Sequence, residues 1–278
     1  VMERFRPDLV VHTHFLAPDL LASSRRAEGL RQATVVTDFG AHALWLTRGV
    51  ERYFVASDEV AVHLRASGVE PERIQVTGIP IDPIFAQLPD RATARALFGA
   101  TRDRDVLLLM ASGMAQRTLR TLLRELRSVR WPLDAWVVCG RSPDLLEVAR
   151  EEAARDDGGL VRMVPIGYAH DVPLRMAAAD VVAGKPGGLT ASEALAAGLP
   201  FAVVDPYPLQ EEANAQYLLE RGAAMRIEPL TTFAHKLGTL LSDPDRRQRM
   251  RDAALAASRP HAAADVVAAC GRMLDAPA

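Results

Sequence analysis

Residues 183–200 contain the residue types best suited to hold an anionic ligand. Lys185, Gly187 and Gly188 follow an apolar run that ends at Ala183, and an alanine-rich helical pattern comes next. Glycines at the carboxyl end of a strand let backbone N–H groups approach a ligand, and the N-terminus of a helix favours negative charge. We therefore expect a diphosphate to bind to this segment.

Thr190 and Glu193 lie at the start of that helical pattern. We place Glu193 in the first turn of the helix, where its carboxylate can accept hydrogen bonds from the hydroxyls of a ribose. The alternative is a Thr190-x-x-Glu193 capping box, in which both side chains satisfy only backbone groups of the helix itself. The sequence alone is compatible with either interpretation.

The order of residues in this segment resembles a known nucleotide-sugar motif. Gly-Lys-Pro-Gly-Gly-Leu-Thr at 184–190 precedes Ser-Glu-Ala-Leu at 192–195 and Gly-Leu-Pro at 198–200. This order closely resembles the monogalactosyldiacylglycerol synthase and processive diacylglycerol glucosyltransferase family, a more distant relative of which makes lipid II for peptidoglycan. The resemblance implies a UDP-sugar site with donor contacts from Lys185, Gly187, Gly188, Leu189, Thr190 and Glu193.

A second match lies at residues 206–215, which read Pro-Tyr-Pro-Leu-Gln-Glu-Glu-Ala-Asn-Ala. In the family, the Gln-Glu pair and the Asn reach hydroxyls of the donor sugar. The resemblance therefore implies this role for Gln210, Glu211 and Asn214. The alternative is a solvated helix start, where polar residues are common.

Residues 165–172 occupy the place where the family holds the nucleobase by backbone groups and an apolar side chain. The resemblance makes Tyr168 and Ala169 candidates for a uracil pocket. The alternative is a helix capped by Asp171, with Tyr168 packed beneath it.

Candidate acceptor-side residues lie in the first part of the chain. Residues 37–45, Thr-Asp-Phe-Gly-Ala-His-Ala-Leu-Trp, resemble the family's Thr-Asp-x-x-x-His-x-x-Trp stretch, in which the His faces the cleft. From the residues alone, His42 on a loop after a strand suits a general base, because the unperturbed pKa of histidine is about 6.5. A structural or exposed histidine is the alternative. Asp38 is the other candidate base or the residue that orients His42, and His14 is similar to a family position that lines the cleft.

Two features of the family are missing from the sequence. The family's Gly-rich loop near the start of its N-terminal domain has no counterpart, so we expect an N-terminal piece to be absent or separate. Where relatives carry several glycines, residues 110–118 retain only Gly113, and Arg117 is the candidate to supply charge to a phosphate there.

Short β-rich runs alternate with helical patterns along the chain, which is typical of parallel sheets covered by helices. This predicts an α/β fold, and the resemblance implies the GT-B plan of two facing, doubly wound, Rossmann-like domains, the N-terminal one incomplete. We expect an acceptor-side domain with its linker at 1–88, a donor-binding domain at 89–258 and a C-terminal helix at 259–278 that packs back on the domains. The predicted strands are 9–13, 34–37, 52–56, 74–77, 106–110, 135–139, 161–164, 181–183 and 201–204. The predicted helices are 58–67 with Asp58 as N-cap and Gly68 as its stop, 117–129, 144–155, 172–178 and 190–197.

The composition argues against several classes of protein. The 278 residues carry 33 basic and 35 acidic side chains, a formal net charge of −2, which does not indicate a nucleic-acid partner. Cys139 and Cys270 have no ligand-like spacing, so we expect neither a disulfide framework nor a structural zinc site, and a reducing cytoplasm fits. The longest apolar runs are too short to cross a bilayer, so any membrane contact is expected to be peripheral.

Two charged patterns have simple structural interpretations. Asp-x-Asp triplets at 103–105 and 243–245 can hold a divalent ion, but the first precedes its strand and the second opens a helix with proline at its first position. We therefore predict no metal site. The basic run at 246–251 is expected to be a solvated helix face, with contact to an anionic lipid surface as the alternative.

Together with the glycine-rich segment, the resemblance implies an enzyme that transfers a hexose from a UDP-sugar to the hydroxyl of a lipid acceptor such as diacylglycerol. The resemblance implies inversion at the anomeric carbon, and stabilisation of the departing diphosphate by the glycine-rich segment makes a metal or other cofactor unnecessary. One alternative is a UDP-N-acetylhexosamine 2-epimerase on the same two-domain plan. The other is a truncated, non-catalytic relative that binds a nucleotide sugar or forms half of a split enzyme.

Overall fold

The computed structural model describes residues 5–22, 30–155 and 158–275. The chain divides into two compact units. The first unit is Val1–Pro83 together with Arg259–Ala278, and the second unit is Ile84–Ser258.

The first unit is built on a four-stranded parallel sheet in the order β1-β2-β3-β4. Its strands are β1 (Leu9–His12), β2 (Arg31–Val35), β3 (Arg52–Val55) and β4 (Ile74–Val76), and its first helices are α1 (Leu16–Ala22) and α2 (Asp58–Ala66). The N-cap of α2 is Ser57, whose hydroxyl accepts the Val60 N–H at 3.4 Å, so the assignment of Asp58 as the N-cap is wrong. Gly68 follows the C-cap with φ +93°, as expected of the residue that stops this helix.

The C-terminal helix α11 (Ala262–Asp275) packs on the first unit. Its residues Val266, Ala269 and Met273 form one buried cluster with Ala33, Val35 and Phe54 of the sheet. The close approach depends on a glycine, because a Cβ at Gly78 would overlap the side chain of Arg259.

The second unit is built on a six-stranded parallel sheet in the order β10-β9-β8-β5-β6-β7. Its strands are β5 (Asp105–Met110), β6 (Leu133–Val138), β7 (Val161–Ile166), β8 (Val181–Gly184), β9 (Phe201–Val204) and β10 (Ala224–Ile227). Its helices are α3 (Arg91–Leu97), α4 (Gln116–Leu126), α5 (Pro143–Ala153), α6 (Val172–Ala178), α7 (Gly188–Ala196), α8 (Gln210–Glu220), α9 (Phe233–Leu241) and α10 (Pro244–Ala257). All six residues of β6 are buried, as expected for a sheet covered on both faces.

The strand order of the second unit reverses at β5. The chain runs from β5 outward to β6 and β7, then returns to β8 on the other side of β5 and continues to β9 and β10. This is the doubly wound arrangement, in which ligands bind beyond the carboxyl ends of the strands at the reversal. The loops after β5 and β8 therefore flank the expected crevice.

Within the three described ranges, no helix combines the length and the hydropathy needed to span a bilayer.

Candidate functional site

Two glycines after β8 have different structural roles. Gly184 ends the strand, and a Cβ there would lie 2.9 Å from the carbonyl oxygen of Met110 on β5, so glycine permits the two strands to pack. At Gly187 a Cβ would meet nothing within 4 Å. Gly187 therefore borders open space at the sheet edge.

Helix α7 begins at Gly188, with Gly187 at the N-cap and no side-chain cap. The Ala191 N–H donates to the Gly187 carbonyl at 2.8 Å, so Thr190 is the third residue of the helix. The capping-box alternative is therefore wrong, because Thr190 is not at the N-cap. Glu193 lies in the second turn and not in the first as expected, since the helix starts two residues earlier than the sequence pattern indicated. The N–H groups of the first turn have no partner inside a helix and are positioned to bind an anion.

A second helix N-terminus lies beside the first. Helix α4 begins at Gln116 after β5, and its N-cap, Ala115, offers no side-chain hydrogen bond. Because β5 and β8 are paired in register, the two helix starts follow neighbouring strands. Gly113 in the connecting loop has φ +78° with open space around its Cβ position, and Arg117 is exposed in the first turn of α4. Two positive helix ends and a cation therefore surround the crevice.

Lys185 and Glu211 come together from the two predicted motifs. Lys185 Nζ lies 3.7 Å from Glu211 Oε2 and 5.9 Å from the ring centroid of Tyr207. Gln210 is the first residue of α8 and is half-buried. Asn214 is 0% exposed, so a direct contact with a sugar hydroxyl requires its neighbours to move. The solvated-helix alternative is wrong for Asn214.

The loop between β9 and α8 has strained backbone. Asp205 has φ +44° and Leu209 has φ +75°, a left-handed conformation that costs energy for residues with a Cβ. Leu209 is 81% exposed, and Tyr207 is also exposed. Such strain persists where the surrounding structure holds the backbone, and it is common at ligand sites. Tyr207 was not among the residues predicted from sequence to bind the donor.

Tyr168 follows β7 at the same sheet edge and is 52% exposed. The Arg141 guanidinium carbon lies 4.6 Å from its ring centroid, and the His170 ring contacts its edge at 4.7 Å. The capping alternative for this segment is wrong. Asp171 occupies the N-cap position of α6 without a capping bond, because its carboxylate accepts two 2.9 Å hydrogen bonds from Arg175. Ala169, next to Tyr168, is half-buried.

Sequence reasoning missed Arg141 at this edge. Its position after Gly140, directly beyond β6, is the same kind of signal that identified Lys185 after β8. Arg141 and Tyr168 bring a cation and an aromatic ring together at the carboxyl edge of the sheet, a pair that can stack with a planar base.

In the first unit, an aromatic cluster joins His14 to His42. The ring centroids of His14 and Phe15 are 4.3 Å apart, and Phe15 contacts the rings of His42 at 4.8 Å and Trp45 at 5.7 Å. These residues follow β1 and β2, so the carboxyl edge of this sheet brings together His14 and His42.

The two histidines of the cluster differ in their hydrogen bonding. His14 is exposed, and its Nδ1 accepts the Leu16 N–H at 3.3 Å at the start of α1, so this ring has a structural contact. Among the described residues, the buried Nδ1 of His42 and the buried Nε1 of Trp45 have no hydrogen-bond partner. The half-buried Asp38 therefore does not orient His42 through Nδ1.

Within the ranges that the structure describes, no three His, Cys, Asp or Glu side chains come together as a metal site. Asp105 is the first residue of β5 and pairs with Arg247 at 2.9 Å. Asp243 is the N-cap of α10 and accepts the Arg246 N–H at 2.9 Å, with Pro244 at the first helical position as expected. One aspartate of each triplet, Asp105 and Asp243, therefore has a structural role.

Two α/β units with parallel sheets of four and six strands, the second doubly wound, have the architecture of the GT-B glycosyltransferase fold. Two family models match the chain: monogalactosyldiacylglycerol (MGDG) synthase over residues 1–81, and the glycosyltransferase family 28 C-terminal domain over residues 116–266. The chain belongs to glycosyltransferase family 28.

Named relatives are similar over most of the chain. A processive diacylglycerol beta-glucosyltransferase of Bacillus cereus (strain AH187) is 30% identical over 275 residues, which are 96% of this chain and 68% of the relative. The enzyme of the same name from Bacillus subtilis (strain 168) is 29% identical over 255 residues, 90% of this chain and 65% of the relative. The chain thus spans about two thirds of the length of these relatives.

Solved structures share the fold at low sequence identity. Acinetobacter baumannii MurG has a TM-score of 0.70 at 19% identity, covering 98% of this chain and 75% of its own. The Staphylococcus aureus MnaA–UDP structure has a TM-score of 0.73 at 15% identity, covering 96% of this chain and 76% of its own. Anabaena HepE in complex with UDP has a TM-score of 0.65 at 16% identity, covering 96% of this chain and 79% of its own.

Proposed function

We propose that this chain is the donor-binding majority of an enzyme that transfers a hexose from a UDP-sugar to the hydroxyl of a lipid such as diacylglycerol. The observation that carries the proposal is the crevice at the β5–β8 reversal, where two helix N-termini without side-chain caps lie beside Lys185. That combination suits a diphosphate. The names of the Bacillus relatives supply the lipid acceptor.

The donor is held by groups from five loops. The first-turn N–H groups of α7 and the Lys185 ammonium bind the diphosphate, and Arg117 adds charge from α4. Tyr168, Ala169 and Arg141 form the uracil pocket. Glu193 binds the ribose, and Gln210 and Glu211 bind hydroxyls of the sugar. Buried Asn214 reaches the sugar only when its neighbours move on binding.

Transfer proceeds as a single displacement with inversion. The acceptor oxygen attacks the anomeric carbon, the bond from that carbon to the diphosphate oxygen breaks, and UDP leaves with the electron pair. The acceptor proton passes to Nε2 of His42 or to Asp38. The fixed N–H dipoles and Lys185 stabilise the charge that develops on the diphosphate, so no metal is needed for this step.

An epimerase remains the rival activity on this fold. A putative UDP-N-acetylglucosamine 2-epimerase from Listeria monocytogenes has a TM-score of 0.69 at 16% identity. The diacylglycerol glucosyltransferases at 29–30% identity favour transfer. Radiolabelled sugar recovered in the lipid phase supports transfer, whereas label that remains in an epimerised UDP-sugar supports the rival.

Titration calorimetry with UDP in the presence of a chelator tests the donor site directly. We expect binding without a divalent ion and a tenfold or greater loss of affinity, roughly 1.4 kcal/mol, in Lys185→Gln, because a charge-assisted contact to phosphate is removed. Lys236→Gln is the matched control: Lys236 is the only other lysine and donates to the Arg226 carbonyl at 2.8 Å. Binding that requires magnesium or manganese, or equal losses in both variants, contradicts the proposed site.

A further inference from the structure

A second charged cavity lies on the edge of the six-stranded sheet opposite to the donor crevice. It has a volume of about 250 Å³ and lies where β5 begins and where Asp180 precedes β8. Strands rise about 3.3 Å per residue, so the six residues of β5 separate the two edges by roughly 17 Å. Its charged lining residues are Arg91, Arg95, Arg247, Arg251, Asp105 and Asp180.

The acidic side chains of the cavity are already engaged. Asp180 accepts hydrogen bonds from Arg91 at 3.0 Å, from Arg95, and from the Val106 N–H at 2.7 Å. Asp105 pairs with Arg247 at 2.9 Å and accepts the Trp131 Nε1–H at 2.7 Å. Four guanidinium groups thus face two carboxylates, which leaves an excess of two positive charges around the cavity.

Donor capacity also remains in the cavity. Among the described residues, the buried Nε of Arg91 has no hydrogen-bond partner, and the contact of Arg251 is a 3.4 Å bond to the Gly198 carbonyl. Burial lowers the pKa of Arg91, and the neighbouring charges of Arg95 and Arg247 lower it further against the opposing effect of Asp180. An anion in the cavity would relieve this repulsion and accept the remaining guanidinium N–H groups.

A less polar cavity continues from the charged one. It has a volume of about 520 Å³, shares Arg91 and Arg95, and is otherwise lined by Ala92, Ala96, Ala100 and Arg102. Its alanine surface gives space to an uncharged substituent next to the cationic group. The basic run on α10, expected from sequence to be a solvated face with contact to an anionic lipid surface as the alternative, supplies Arg247 and Arg251 to this site.

We propose that the arginine cavity between α3 and α10 binds a phosphate group, either free or carried as a phosphate monoester on a small molecule or a lipid headgroup. The geometry fits phosphate because guanidinium forks match its oxygens and because several guanidinium groups line the same cavity. The site is separate from the donor crevice and does not depend on the proposed transferase activity.

Calorimetry with inorganic phosphate at low ionic strength tests the proposal. We expect saturable binding of phosphate to the intact chain. Phosphate affinity should fall roughly tenfold or more in Arg251→Gln and in Arg91→Gln, because each variant loses a charged hydrogen bond. Arg249→Gln is the matched control, because Arg249 is exposed on the same helix and does not line the cavity. Circular dichroism and unchanged UDP affinity verify that the variants are folded.

The source of the phosphate is determined with vesicles. A lipid headgroup is the ligand if the protein sediments with phosphatidylcholine vesicles that contain phosphatidic acid and not with vesicles of phosphatidylcholine alone. The Arg251→Gln variant must then fail to sediment with the vesicles that contain phosphatidic acid. Binding of inorganic phosphate without vesicle binding assigns it to a soluble ligand. The proposal is overturned if neither phosphate nor the vesicles bind, or if Arg249→Gln loses as much phosphate affinity as Arg251→Gln. It is also overturned if phosphate binding is lost in Lys185→Gln and retained in Arg251→Gln.

Discussion

At the scale of single residues, Glu193 occupies the second turn of α7, one turn beyond the N–H groups that we assign to the diphosphate. The side chain is half-buried, and the position of the helix start removes its capping role. In the donor site that we propose, this carboxylate accepts hydrogen bonds from the ribose, which is the next group of a bound UDP.

The Glu193→Gln variant tests this role. We expect the affinity for UDP to fall about fivefold to tenfold, because a charged acceptor for two hydroxyls is replaced by a neutral amide, while the free energy of unfolding changes by less than about 0.5 kcal/mol. Calorimetry and urea denaturation measure the two quantities. Glu147 lies on the exposed surface of α5, so Glu147→Gln is the control for loss of one negative charge. A loss of stability with unchanged UDP affinity would assign Glu193 a structural role.

At the scale of secondary-structure elements, Glu152 joins α4 to α5. Its side chain is 1% exposed, and its carboxylate contacts Arg155 at 2.5 Å, Arg120 at 3.2 Å, Arg124 at 3.4 Å and Arg127 at 3.3 Å. Burial acts to raise the pKa of Glu152, but the charges and hydrogen bonds of the arginines outweigh it and hold the pKa below its ordinary value. The helix that begins at the donor crevice is thereby fastened to its neighbour.

The Glu152→Gln variant is expected to lose about 1–3 kcal/mol of unfolding free energy at neutral pH, because several partly exposed arginines lose a buried counter-charge. Since the folded pKa is lowered, the stabilisation is complete above the ordinary pKa near 4.5 and is lost as the pH falls through the lower folded value. Urea denaturation at a series of pH values should show that the difference in unfolding free energy between the unmodified protein and Glu152→Gln decreases as the pH falls. Glu151 forms a partly exposed ion pair with Arg120 at 2.8 Å. Its loss in Glu151→Gln should lower the free energy of unfolding by less than about 1 kcal/mol. A difference in unfolding free energy that does not change with pH would contradict the assignment of a negative charge to Glu152.

At the scale of the whole molecule, the candidate acceptor and donor groups belong to different units. His42 and Asp38 lie in the first unit, and the glycine-rich segment with Lys185 lies in the second. Chemistry at the acceptor and affinity for the nucleotide should therefore respond to different substitutions.

The His42→Ala variant is expected to bind UDP with unchanged affinity and to transfer sugar about 10²- to 10⁴-fold more slowly, because it removes a general base that we propose and leaves the nucleotide contacts in place. Transfer of radiolabelled sugar to lipid by an active preparation of the whole enzyme measures the rate, and calorimetry measures UDP affinity. His63→Ala, an exposed histidine on α2, is the control. Full transfer activity in His42→Ala would exclude His42 and make Asp38 the next residue to test.

The limits of sequence reasoning are clearest at element boundaries. The alternation of apolar runs and helical patterns predicted the parallel α/β architecture, but it placed the start of α7 at Thr190, because Gly188 and Leu189 have no helical signature of their own. It also missed β10, a four-residue strand in which buried and half-buried residues alternate around Arg226. A short strand with one polar residue shows little hydrophobic periodicity in the sequence. Such a strand is identified by its hydrogen-bonded pairing with a neighbouring strand in the structure.

The sequence by itself determined the fold class, because it depends on local periodicity, and the segment after β8, because the spacing of its glycines is read directly. Residues 206–215 after β9 contain no glycine, and their resemblance to the family identified them. Only the tertiary structure decided which distant residues meet. Strand order places Lys185 beside Glu211 and Arg141 over Tyr168, and it gathers arginines from α3 and α10 at the opposite edge. The physical reason is that strand order is set by packing between segments far apart in the chain, which no local pattern of residues encodes.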